Sequence, residues 1–285
     1  MHQEDIRLSV KSRCREKDTH QQVEGVRLIL VIIKRTSIDL SSSETRNIRS
    51  QQFPFTMFES VLSTNFDAVC LLRRGRFDES MYLLRIAMAA VQAAGNEPLD
   101  SSSAGAPHGI IASVPLQDYE DDLSFKMAMK NKTSCFDLFE RAFIFQGPQS
   151  LGNTDENASL CAAVGLYNMA LNMHMKGLHT GASIYLVKAC GLYQKVFTII
   201  RAVAPAPTDS VAPLFLAAVL NMICCESELR GAPAAQEWKN VYSELFTWAT
   251  QSESSIRAME PEDLETFCSN AVLLSNQDFC SAPAA

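Results

Sequence analysis

The chain has 285 residues, 47% of them hydrophobic, which is enough apolar material for a sizeable core in one or two domains. A formal net charge of −7 and a pI near 5.3 argue against a dedicated nucleic-acid binder, which carries a basic face for phosphates. Nine scattered cysteines form no CxxC pair, are odd in number and fall largely in apolar stretches. They read as free thiols of a reducing compartment, so an intracellular place, cytoplasmic or nuclear, is expected.

Residues 1–52 are polar and mixed in charge and are expected to be mostly disordered. Their one apolar run, Val26–Ile33, is too short to span a membrane and lies too far inside mixed charges for a secretory leader. No other run reaches the roughly 18 apolar residues of a span, so no membrane partner is expected. A helical domain is read over 53–276, with a loop-rich insert at 96–158 and a short polar tail at 277–285.

The first helix begins near Pro54–Phe58. Phe58, Leu62, Phe66, Val69 and Leu72 recur at three- and four-residue steps and make one apolar stripe. Gly75 stops it as a left-handed cap, and Asp78 and Glu79 open a second helix that runs to Gly95. In the insert, Ile110–Leu116 is a short apolar run. Phe136–Phe145 is apolar on both faces and reads as a buried extended segment able to pair with it, a short helix being the alternative. Ser159–Lys176 is the next long helix, with Leu160, Val164, Tyr167, Leu171 and Met175 on one stripe and Gly177 as its stop. Helices follow over about Gly181–Val203, Val211–Leu229, Gln236–Ala249 and Pro261–Ser275.

Chemical motifs are weak. Gly147 to Thr154 has the glycine spacing of a phosphate-binding loop, but Asn153 stands where the lysine belongs and Pro148 removes a backbone donor. His174 and His179 straddle Gly177, and no His/Cys set has zinc-site spacing, so no metal or other cofactor is expected. The acidic run Asp118–Asp122 reads as a solvated loop. No catalytic residue is assigned; an enzyme built in the insert around His108, Asp118 or Asp121 is the least favoured reading.

The helical units resemble one another. Asn65, Gly75, Ser80, Leu84 and Ala87 align with Asn168, Gly177, Ala182, Leu186 and Ala189, and a poorer copy lies near Leu220–Phe246. This pattern of small, glycine and large residues resembles the tetratricopeptide repeat (TPR). Segments at Leu71–Ser80, Phe136–Phe143, Leu166–Leu171 and Asn221–Leu229 also resemble a family of TPR-like diatom proteins, which implies no activity. The resemblance implies a mainly α fold: an irregular TPR-like array of helical hairpins of the α-solenoid type, with a short β-hairpin from the insert. It also implies a protein or peptide partner on a concave face lined by the first helix of each unit.

Asparagine recurs mid-helix on those first helices at Asn65, Asn168 and Asn221, with Asn270 as a further instance, although it is a mediocre helix former. In several TPR proteins such asparagines hold the backbone of an extended peptide, an amide being both donor and acceptor. Asn65, Asn168 and Asn221 are therefore the partner-binding candidates, with Arg73 and His174 as polar flankers. The alternative is that they satisfy neighbouring groups between helices. A self-assembling homo-oligomer is the other reading of the whole.

Overall fold

The computed structural model describes residues 57–94, 110–116, 137–146, 155–203 and 209–280. The expected disorder of 1–52, the phosphate-loop-like segment, His108 and the acidic run lie outside them. Among the described residues the chain is mostly helical, with one two-stranded antiparallel sheet.

Helices α1 (Met57–Arg73) and α2 (Phe77–Ala94) form the first hairpin. Strands β1 (Ile110–Pro115) and β2 (Arg141–Gln146) follow. Helices α3 (Asp155–Thr180) and α4 (Ser183–Val203) form the second hairpin. Helices α5 (Ala212–Arg230) and α6 (Gln236–Gln251) form the third. A short helix α7 (Glu253–Arg257) leads into α8 (Pro261–Cys280). Each helix from α1 to α6 packs on the next one in sequence, apart from the interruption by the sheet.

Each hairpin turns at a glycine with positive φ: Gly75 at 68°, Gly181 at 67° and Gly231 at 85°. Only glycine adopts this conformation without a Cβ penalty. The second turn is therefore not at Gly177. Helix α3 passes through Gly177 and runs three residues further, so the alignment of Gly75 with Gly177 does not mark equivalent turns. Gly177 serves helix approach instead: a Cβ there would stand 2.8 Å from Leu186 Cδ2 and 3.3 Å from the Leu186 backbone nitrogen. Gly191, in α4, has nothing within 4 Å of the same position. Alanine at Gly191 is expected to raise the unfolding free energy by up to about 1 kcal/mol through helix propensity. Alanine at Gly177 is expected to lower it by about 1 kcal/mol, because the crowding at α4 outweighs the propensity gain. Urea unfolding of the two variants tests the opposite signs.

The single stripe expected on α3 is too narrow. From Cys161 to Met175 every residue is buried, because α2, α4, α5 and β2 pack around this helix. Helix α5 is equally apolar all round, with buried residues from Ala212 to Cys225. Asn221, Glu226 and Glu228 break any uninterrupted apolar run, yet by length and composition the helix is long and apolar enough to cross a membrane: its most apolar 18 residues have a mean hydropathy of 1.4, and 83% of that stretch is buried inside the protein. Helix α8 likewise extends beyond Ser275, to Cys280, into the expected tail.

The insert contributes the extended segment that its two-faced apolar pattern predicts. The register pairs Ile110 with Gln146, Ser113 with Phe143 and Pro115 with Arg141. The Leu116 N–H donating to the Glu140 carbonyl at 3.1 Å carries the same register beyond the strand ends. In an antiparallel ladder only alternate residues exchange bonds with the partner. Even-numbered residues of 138–146 thus turn their peptide groups toward β1, and odd-numbered residues turn theirs away.

Candidate functional site

The outward peptide groups of the odd residues meet the helices. Asn221 Oδ1 accepts from the Phe139 N–H at 2.9 Å, and its Nδ2 donates to the Phe139 carbonyl at 3.1 Å. Asn270 holds Asp137 in the same two-point manner, at 2.9 and 3.1 Å. Asn168 holds Phe143, accepting from its N–H at 2.9 Å and donating to its carbonyl at 2.8 Å. Asn65 adds a bond to that carbonyl at 3.1 Å and accepts from Asn168 Nδ2 at 3.0 Å. Between these clamps the Tyr167 hydroxyl donates to the Arg141 carbonyl at 3.3 Å.

The far edge of the extended segment is thereby paired, though among the described residues no strand lies beside it there. Side-chain amides from α1, α3, α5 and α8 do for residues 137–143 what a third strand would do. A buried peptide group left unpaired costs free energy of the order of a lost hydrogen bond or more, so the helix faces must carry groups that both donate and accept. Asparagine does so with a short, stiff side chain, which explains its place mid-helix despite poor propensity.

The clamps are buried and linked. Asn65, Asn168, Asn221 and Asn270 are at most 2% exposed. Asn221 Nδ2 also donates to the hydroxyls of Tyr167 at 3.0 Å and Tyr193 at 3.3 Å. Burial raises the pKa of both phenols well above its ordinary value, so they remain protonated. The segment's own aromatic rings complete the contact. Phe139 stacks on Phe267 with centroids 4.9 Å apart, and Phe143 meets Tyr167 edge-on at 4.9 Å.

Arg141 lies between the two rings along the segment. Its guanidinium pairs with Asp263 at 2.7 Å and Glu262 at 2.9 Å, both at the start of α8. Ser113 of β1 donates to Asp263 Oδ2 at 2.6 Å and accepts from Arg141 Nε at 2.9 Å. Burial raises the pKa of the Asp263 carboxyl, against the opposing pull of Ser113 and Arg141. A carboxyl that holds its proton more tightly when folded adds stability below its ordinary value of 3.8, and that stability is lost as pH rises through the folded value. The difference in urea midpoint between the parent chain and Asp263→Asn should therefore change in favour of the variant as pH is raised from 3.8 toward neutrality. A difference that is flat with pH, or that moves the other way, would contradict the assigned direction.

Of the five residues singled out from the sequence, the fold brings together Asn65, Asn168 and Asn221, and adds Asn270. It does not bring Arg73 or His174 to the same place. Arg73 is half-buried at the last turn of α1. His174 is 1% exposed, with its Nδ1 3.5 Å from the Tyr193 hydroxyl, so it is an internal group and not an accessible flanker. His174 and His179 share the unbroken α3, but His179 is exposed beside Phe77. Tyr167, Arg141 and Asp263 were not singled out. Only their contacts mark them, and no spacing in the chain links Arg141 to α8.

Elsewhere, a cavity of about 420 Å³ is lined by Cys190, Met222, Glu226, Leu229, Arg230 and Trp238, among others. Its Glu226 and Arg230 pair with each other at 3.4 Å. Among the described residues, no group of three or more His, Cys, Asp or Glu could hold a metal ion. The geometry defines a helical array that grips main chain by amide clamps. Comparison with family models, curated proteins and solved structures returned no match for this chain.

Proposed function

We propose that the chain is a non-catalytic, TPR-like scaffold that binds a protein or peptide partner as an extended segment along its first helices. One observation carries this reading: two-point amide bonds grip the N–H and carbonyl of single residues at Asp137, Phe139 and Phe143. Such bonds ignore side-chain identity and suit any extended main chain. The irregular α-solenoid expected from the repeat fits the placement of all four asparagines on α1, α3, α5 and α8. The free thiols of Cys161, Cys190, Cys224 and Cys225 fit the reducing, intracellular setting read from the sequence.

Selection of displayed random peptides on the folded full chain tests this. Enrichment of extended binders is expected, with capture weakened several-fold by Asn65→Ala, which leaves the Phe143 carbonyl held by Asn168 and so spares the fold. No enrichment, or binders indifferent to Asn65→Ala and Asn270→Ala alike, would remove the groove reading.

Self-assembly is the second reading. Tyr82 and Ile86 stand one turn apart on α2, and Ile184 and Val187 on α4, all exposed. Paired apolar residues on second helices would suit a like surface on another copy. Light scattering that finds only monomer at high concentration would discard it.

A further inference from the structure

We propose that residues 137–146 are an internal ligand, which a partner bearing an extended aromatic–x–Arg–small–aromatic segment replaces. The inference rests on the groove reading above and names its partner and its regulation. The clamps touch only main chain, so they admit a different segment, while three side-chain stations decide which segment. Phe139 fills the first station, 0% exposed against Phe267. Arg141 fills the second, between Asp263 and Glu262. Phe143 fills the third, 1% exposed against Tyr167. These residues are two apart and face the same side of the segment. On the other side Ala142, 0% exposed, leaves no room for a larger residue.

Charge favours the same partner. The second station presents two carboxylates, one of them 1% exposed, in a chain of net charge −7. A neutral or acidic residue there would leave Asp263 facing a buried site without its cation, which selects a basic segment. The internal segment competes as a tethered ligand, because its binding is intramolecular and so outweighs that of a weak free ligand. The chain is thus held closed to weak ligands and opens to one that reproduces all three stations.

The experiment uses the full chain and a labelled peptide with the sequence of residues 136–146, read by fluorescence anisotropy. Arg141→Glu sets a third carboxylate against Asp263 and Glu262 and expels the internal segment. This variant is expected to bind the peptide at least about tenfold more tightly than the parent chain, because the tethered competitor is gone. A peptide carrying the same Arg-to-Glu change should not bind. Equal binding by the two chains, or none by a folded Arg141→Glu chain, overturns the proposal.

Hydrogen exchange on the unaltered chain keeps the question open to refutation if Arg141→Glu does not fold. The amides of Phe139 and Phe143 should exchange through a local opening, at least about tenfold faster than the amide of Leu220 in α5. Exchange of all three at the limit set by global unfolding would mean that the segment never leaves, and would overturn the proposal. A dimer of the parent chain that the peptide dissolves would assign the groove to a second copy and overturn the partner assignment. Displayed peptides that bind Arg141→Glu while the 136–146 peptide does not would sink the internal ligand and leave the groove reading standing. If neither binds, both fall.

Discussion

Replacing Asn221 by Ala is expected to lower the unfolding free energy by about 4 kcal/mol. The substitution strips the Phe139 N–H and carbonyl of their partners at once, in a site closed to water. Each buried group left unsatisfied costs about 1–3 kcal/mol, which exceeds the net worth of a hydrogen bond made. The hydroxyls of Tyr167 and Tyr193 also lose a donor, but each keeps a partner in its other neighbour, Arg141 O or His174 Nδ1. Asn65→Ala is expected to cost only about 1 kcal/mol, since Asn168 continues to satisfy Phe143. Asn221→Asp keeps the acceptor for the Phe139 N–H and sets a second acceptor against the Phe139 carbonyl. Its stability should therefore recover at acid pH, where a protonated carboxyl can donate again. Denaturant unfolding of the three variants gives the order; equal losses for Asn221→Ala and Asn65→Ala would refute the two-point clamp.

Replacing Phe139 by Ala is expected to cost a similar amount, about 4 kcal/mol, for a different reason. The ring is fully buried, stacked at 4.9 Å on Phe267 and at 6.0 Å on Phe143. Truncating a buried Phe removes its transfer free energy and leaves a cavity, about 3–5 kcal/mol together. The main-chain bonds to Asn221 survive the change, so the register of 137–143 should hold. Combined with Asn221→Ala, the loss should fall well short of the sum, because both substitutions act on the same ten-residue segment and either one loosens it. Full additivity would show that clamp and ring hold the fold independently. Urea unfolding of the single and double variants measures the coupling.

The helices were legible because their signals are local. Gly75 marks a turn, three- and four-residue spacing marks α1, and a run apolar on both faces marks Phe136–Phe145 as buried, extended or a short helix. Gly177 misled for a physical reason. A glycine that stops a helix and a glycine that lets a neighbouring Leu186 come close look alike in the chain, and only the φ angle at Gly181 separates them. The single stripe read on α3 was too narrow because α2, α4, α5 and β2 close around it together, which spacing within one helix does not reveal. Helix α5 is legible as a helix but not as a spanning-length apolar run, since Asn221, Glu226 and Glu228 interrupt the run while leaving its mean hydropathy high.

The asparagines divide the question most clearly. By itself the sequence determined that Asn65, Asn168, Asn221 and Asn270 recur mid-helix on the first helices of their units, where propensity gives no reason for them. It also placed a buried apolar segment within the insert, leaving open whether it is extended or a short helix. Only the tertiary structure joined the two, setting Asn221 on Phe139 across 82 positions and Asn270 on Asp137 across 133. The physical reason is that an amide's hydrogen-bonding capacity is written in its residue type, but the identity of its partner is not. The partner follows from which backbone is left with an open edge once β1 has taken the other one. That depends on strand register and helix packing together, and neither is local to any stretch of the chain.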